Sequence, residues 1–346
     1  MISRFPRPTG ASHCDDTRQG ISRRQALILG LAGAPLLSRQ SFAQTAAWPT
    51  KPVKIVTAAS NGSGPDVALR LVAEQLARRW GQPVIVDNKP GGNGVVAFNA
   101  NRNAAPDGHE LIHLDSTMLT SNVHLYNRLP YDPQRDFDPI RPTLQTDFFV
   151  VVAKDSPFKT IDDIVAAAKA APGRLTYGSW GPGSPGHLGA LRLLNATNTQ
   201  MTHVPYKEMP QLFAAVGTGE VQWALGSLAS AGPMEKAGRV RFIGVAAPQS
   251  SPFAPGVPGM TASAQAKEFV CNAWFGLFAP KGTPRTLRER IANDIAQVLA
   301  MPEMGERYRG MGYNRFDIKP DEFGDYIQRE TQIWGRVISE AKLKLE

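Results

Sequence analysis

The chain has 346 residues, a formal net charge of +8, and a composition that is 42% hydrophobic and 20% charged. That length suffices for a sizeable core in one domain or two, and the composition excludes a disordered or fibrous chain. Two cysteines exclude a disulfide scaffold, and the absence of a basic block interleaved with aromatics leaves no support for nucleic acid binding.

The N-terminus reads as an export signal. Arg23-Arg24 precede the apolar run "ALILGLAGAPLL", which is too short to cross a bilayer, and Ser41-Phe42-Ala43 offer small residues for cleavage. The arginine pair fits twin-arginine export, with cleavage near Ala43 and a periplasmic destination. Residues 1–43 hold six basic and two acidic residues, so the remainder carries +4, a balance compatible with an anionic ligand. Cys14 leaves with the signal, and Cys271 in "EFVCNAWFGLFAP" is expected in a buried strand.

From Trp48 onward the pattern alternates. "VKIVTAA" (53–59) predicts a strand, "NGSGPD" a loop, and 66–80 a helix with Leu69, Val72, Ala73, Leu76 and Trp80 on one face. A strand at 83–87, the loop "NKPGGNG" and a helix to about Asn103 follow. Helices are expected at 161–171 (capped by Thr160), 187–196 and 209–217, and strands at 174–179, 201–206, 221–227 and 240–247. Two amphipathic helices, 283–300 and 320–343, close the chain. This rhythm predicts an α/β architecture with mostly parallel sheets.

Two motifs invite catalytic readings. His109-Glu110-Leu111-Ile112-His113 spells the zinc-protease signature, which requires a helix. After the turn Pro106-Asp107-Gly108 these residues read as a strand, which holds the two imidazoles about 13 Å apart, too far to share one zinc. "GPGSPG" (181–186) spells the dinucleotide fingerprint between a strand and a helix, but no acidic residue follows near 201–204 for a ribose. A nucleophile–base pair from Ser184 and His187 lacks an orienting acid and the G-x-S-x-G elbow. What remains is anion binding by glycine-rich loops that enter helices: "AASNGSGPD" (58–66), "NKPGGNG", "LDSTMLTSN" (114–122) and "GPGSPG". In a parallel sheet such loops gather at one edge, a setting for binding without turnover, metal or cofactor.

The segments "NKPGGNG", "AAPDGHELI", "LYNRLPYDPQRDFDPI", "YGSWGPGSPGHL", "THVPYK" and "WFGLFAPKGTP" occur in an order that resembles the Bug family, periplasmic substrate-binding proteins of tripartite tricarboxylate transporters. The resemblance runs from Trp48 to the final helix. It implies a two-lobed Venus-flytrap fold gripping a carboxylate-bearing ligand, with residues 44–146 plus 270–346 as lobe 1 and 147–269 as lobe 2. Crossovers would fall near Gln145–Phe148 and Phe269–Phe275. On that basis Ser60, Gly62 and Ser63 would hold one carboxylate, with Ser116 and Thr117 beside them. Ser179, Gly183, Ser184 and His187 would serve the opposite lobe, and Tyr206 and Phe275 would wall the cleft. Asp66 is expected to cap its helix. The implied partners are a small carboxylate ligand and either membrane transporter subunits or a sensor kinase, with the chain acting as a monomer.

The chain departs from the family pattern in four places. Gly62-Ser63 replaces a glycine pair, Ala59 an aromatic, Glu208 a glycine, and Gly226-Ser227 stand where an aspartate is usual. The loss of that aspartate argues against an amino-acid ligand. Glu208, if it faced the cleft, would disfavour a tricarboxylate.

Overall fold

A computed structural model describes residues 48–345; the expected export segment 1–43 lies outside the described residues. The elements in order are β1 (Val53–Thr57), α1 (Gly64–Trp80), β2 (Val84–Asn88), α2 (Val95–Asn101), β3 (Glu110–Asp115), α3 (Ser116–Thr120), α4 (Asn122–Leu125), α5 (Pro133–Asp136) and β4 (Phe137–Asp147). Then come β5 (Phe149–Ala153), α6 (Ile161–Ala170), β6 (Thr176–Ser179), α7 (Pro185–Thr197), β7 (Thr202–Pro205), α8 (Met209–Thr218), β8 (Trp223–Gly226), α9 (Leu228–Lys236) and β9 (Val240–Val245). β10 (Asn272–Pro280), α10 (Arg285–Leu299), α11 (Pro302–Met311) and α12 (Pro320–Glu340) complete the chain.

Among the described residues the strands form two sheets of the same design, β2-β1-β3-β10-β4 and β7-β6-β8-β5-β9. In each, the first three strands run parallel and the fourth runs antiparallel to both neighbours, so four of five strands point one way. The antiparallel strand is the exchanged one. β5 leaves the first sheet's run of sequence to join the second, and β10 returns to complete the first.

Local chemistry explains most boundaries. Gly81 in the left-handed region ends α1, with its amide on the Ala77 carbonyl. Thr160 and Asp163 form a reciprocal capping box that starts α6 where the sequence places it. β4 is the element that periodicity conceals, because Pro139 and Pro142 lie inside it. Its place at the sheet edge, with register shifts against β10, removes the need for two of its amides.

The cores are apolar. Val53, Ile55, Leu69, Leu76, Leu111 and Leu277 pack beneath α1 and α10, and Trp274, Phe278 and Phe323 fill the other face of the first sheet. Val150, Val152, Ile164, Leu193 and Trp223 form a core of the second sheet. α12, about 30 Å long at 1.5 Å per residue, serves both. Its Phe323 and Ile327 pack with the first sheet, while Trp334, Val337 and Ile338 join the second sheet's cluster. Cys271, one residue before β10, is buried, and burial pushes its thiol up to about 12.

The strand reading of the histidine motif holds. His113 lies inside β3, with hydrogen bonds to Thr57 Oγ1 (3.1 Å) and Thr143 Oγ1 (3.0 Å). His109, just ahead of the strand, accepts from the Thr50 amide and faces Asp107. The two imidazoles occupy separate environments.

Candidate functional site

Four strands, a parallel pair from each sheet, end at one place. The chain leaves β1 for α1, β3 for α3, β6 for α7 and β8 for α9, and residues of all four junctions line a cavity of about 440 Å³. This is the crevice at strand ends where open α/β sheets bind ligands. Ser63, Gly64 and Pro65 come from the first junction, Asp115, Ser116 and Thr117 from the second, Trp180 and Pro185 from the third, and Ser227, Ala229 and Ser230 from the fourth. The crossover strands add Leu144, Thr146, Ala273 and Phe275, Phe148 comes from between β4 and β5, and Met209 and Tyr313 complete the wall. A side chamber of about 240 Å³ shares Asp115, Thr117, Trp180 and Pro185, and adds Asn93, Asn122, Gly183 and Ser184. No Lys, Arg or His lines either space among the described residues.

Register assembles part of the wall. Phe275 on β10 sits opposite Asp115 on β3 and Leu144 on β4, so one cross-strand row faces the cavity. Phe275 stacks on His113 at 5.2 Å between ring centroids, and Phe148 meets Trp180 at 5.8 Å. His113 supports that floor as a neutral ring, since burial lowers it to about 3 against an opposing effect of Asp66.

The first junction is built around Asp66. Its carboxylate accepts from the Gly62 amide (2.8 Å), Asn88 Nδ2 (2.7 Å) and Arg70 Nε (3.1 Å). Burial pushes this carboxyl up, but the bonds from Asn88, Gly62 and Arg70 outweigh burial and hold it below the usual range. Asp66 therefore fixes the loop 60–66. Ser63 takes the N-cap position, yet its hydroxyl makes no capping bond, and its Oγ is buried without a partner at the cavity wall. Pro65 has no amide, and the Gly64 and Asp66 amides of the first turn have no intrahelical acceptor. Gly64 is dictated by close approach, since a Cβ there would stand 2.1 Å from the Tyr313 hydroxyl.

The other junctions are closed on themselves. Asp115 caps α3, accepting from the Met118 amide at 3.0 Å and from Thr117; burial raises its carboxyl. Ser184 Oγ accepts from the His187 amide at 3.3 Å and donates to the Gly181 carbonyl at 2.7 Å. His187 Nδ1 accepts from the Gly183 amide at 3.0 Å. Ser227 and Ser230 form a capping box at α9. α8 begins with Met209 at the cavity, but Glu208 precedes it and Pro210 removes a donor.

Of the residues singled out from sequence, Ser63, Ser116, Thr117 and Phe275 line the main cavity, and Gly183 and Ser184 line the side chamber. Ser60 is exposed at the loop tip, and Gly62 gives its amide to Asp66. Ser179 Oγ is engaged with His203 Nε2 at 2.7 Å. His187 is buried against His203 in a stack with centroids 4.0 Å apart, and burial first, then His203, lowers it to about 4. Tyr206 donates to Glu220 at 3.2 Å and packs with the α8 cluster. None of Ser60, Gly62, Ser179, His187 and Tyr206 borders the two spaces. Glu208 is exposed at the start of α8.

Sequence reasoning missed Asp115, Thr146, Phe148, Trp180, Met209, Ser227, Ser230 and Tyr313. Asp115 and Ser227 are the last residues of predicted strands, a signal that could have found them. The aromatic walls carry no such signal.

Residues 68–343 match the TctC family, described as the tripartite tricarboxylate transporter family receptor. The chain belongs to this family. A UPF0065 protein from the tcbD–tcbE intergenic region of Pseudomonas sp. strain P51 is 31% identical over 333 residues, 96% of this chain and 98% of that one. Among solved structures, Rpa4515 of R. palustris with adipate is 25% identical at a TM-score of 0.73, covering 86% of this chain and 99% of the other. MatC of Rhodopseudomonas palustris with bound malate is 26% identical at a TM-score of 0.68, covering 84% and 99%. The fold of this receptor is thus a periplasmic solute-binding fold, and its cavity is the natural place to seek the solute.

Proposed function

We propose that this receptor captures a small carboxylate-bearing solute in the 440 Å³ cavity and presents it to membrane transporter subunits. The observation that carries the reading is the N-terminus of α1, where the buried Ser63 hydroxyl lacks a partner and the first-turn amides have no intrahelical acceptor. A helix N-terminus favours negative charge, and a carboxylate would supply the missing acceptor. Ser116 and Thr117 stand at the same end of the wall. The adipate and malate held by two relatives are consistent with this chemistry.

The magnitudes suffice. Micromolar affinity needs about −8 kcal/mol. Hydrogen bonds to a charged group contribute about 1.5–3 kcal/mol each, and the helix end about 0.3–1 kcal/mol. A carboxylate held at the first sheet and walls drawn from both sheets make a closed state ligand-dependent, because only closure completes the enclosure. The closing bodies in this reading are residues 44–146 with 270–346, and residues 147–269. Residues 1–43 would direct export to the periplasm, and the closed receptor would be what the transporter recognises.

A thermal-shift screen of the purified protein against carboxylic acids and their amides tests the reading. An acid at a hundred times its dissociation constant adds about 2.7 kcal/mol of stability, and the matching amide adds little. Equal stabilisation by amides and acids would refute it.

A further inference from the structure

We propose that the solute of this cavity carries a single carboxylate on an apolar body, and that di- and tricarboxylates are selected against. This deepens the carboxylate reading above and rests on it.

Every helix that begins at the cavity could in principle receive an anion, so the decisive question is which N-termini are already occupied. α3 is filled by the chain's own carboxylate, Asp115, which accepts from Met118 and Thr117. α7 is filled by Ser184, and the Gly183 amide ahead of it is spent on His187 Nδ1. At α9 the reciprocal Ser227–Ser230 pair spends both cap hydroxyls, each accepting from the other residue's amide at 2.9 and 3.2 Å. α8 is preceded by Glu208 and lacks one amide at Pro210. Among the described residues, α1 alone of these helices leaves its cap hydroxyl unspent: Ser63 makes no capping bond, and its buried Oγ has no partner.

The space away from α1 suits a second carboxylate poorly. No basic side chain lines it. The unsatisfied group in the side chamber is an acceptor, Asn122 Oδ1, since Asn122 Nδ2 is committed to the Asn93 carbonyl and Tyr131. Asp115 adds a further acceptor between the two spaces. Apart from the hydroxyls of Thr146, Ser227 and Ser230, the remaining wall is largely apolar: Leu144, Phe148, Trp180, Met209 and Phe275. Such a surface gains from burying hydrocarbon or a ring, and penalises a charge left without donors.

Titration calorimetry on the full chain with hexanoate, adipate, hexanamide and benzoate separates the possibilities. Hexanoate and adipate share a six-carbon chain and differ only at the far end. Hexanoate or benzoate should bind at least about tenfold more tightly than adipate, a difference of 1.4 kcal/mol. The tighter of the two identifies the body as chain or ring. Adipate binding as tightly as both would overturn the inference while leaving the carboxylate reading intact. Hexanamide matching hexanoate would remove both, and so would heat from none of the four. An Ala229→Arg variant, which adds a cation at the closed end, should shift the preference towards adipate; no shift in a folded variant counts against the single-carboxylate assignment. The wild-type series stands alone if that variant does not fold.

Discussion

The two sheets share a strand order and an exchanged antiparallel strand, yet their strand-to-helix junctions are chemically unlike. In the first sheet, the β1–α1 junction places its acid, Asp66, behind the loop and leaves the Ser63 hydroxyl, buried beside the cavity, without a partner. In the second sheet, Ser184, His187, Ser227 and Ser230 spend their donors on their own helices. Identical topology therefore yields one junction fit for a ligand and two fit for stability. A serine at an N-cap position does not reveal which purpose it serves; only its hydrogen-bond partner does.

The largest expected effect tests whether the sheets are coupled. Trp274 on the exchanged strand β10 is fully buried, and Trp274→Ala should cost about 3–5 kcal/mol. Because α12 packs into the cores of both sheets, urea unfolding should remain one transition by fluorescence and circular dichroism. Two separated transitions would show the halves to be independent.

Acid should weaken both sheets through buried neutral imidazoles. His113 under the first sheet and His187 under the second are lowered to about 3 and about 4, while an unfolded histidine titrates near about 6.5. The unfolded chain binds more protons between those values, so stability present above about pH 6.5 declines as pH falls towards 4 and then 3. Urea midpoints across that range should fall, and His187→Gln should flatten the decline. A pH-independent midpoint would contradict the burial of these rings.

The serines give opposite signatures. Ser63→Ala should weaken acid binding by about tenfold or more with almost no loss of stability, because no capping bond is broken. Ser184→Ala should cost about 1 kcal/mol of stability and little affinity, and Ser227→Ala the same. Calorimetry paired with thermal melts reads both quantities; matching profiles for Ser63 and Ser184 would erase the distinction between junctions. The smallest effect belongs to Glu208→Gln, exposed and unbonded, which should change stability by less than about 0.5 kcal/mol.

Much of the fold was legible because local chemistry and tertiary structure agree. The apolar stripe from Leu69 to Trp80, the Thr160 cap and the strand at His109–Asp115 all follow from spacing and punctuation. β4 was hidden because edge placement, invisible in sequence, is what makes Pro139 and Pro142 tolerable. The loops that would meet were legible too, since they follow strands of one direction. Their chemistry was less so. Gly62 and His187 carry the expected residue types, but hydrogen bonds within their own loops consume their groups. The walls Phe148, Trp180 and Tyr313 come from separate parts of the chain and carry no local pattern that distinguishes a wall from a core.

The exchanged strand also sets a clock. β10 lies between β3 and β4, so the first sheet has a gap in its middle until residues 272–280 are available. A nascent or newly exported chain reaches that point only after most of its length has emerged, and the pairing spans well over a hundred residues of intervening sequence. Such distant closure is slow. The cavity, whose wall includes Phe275, is accordingly incomplete until that pairing forms, and a chain truncated before residue 272 would lack part of its wall.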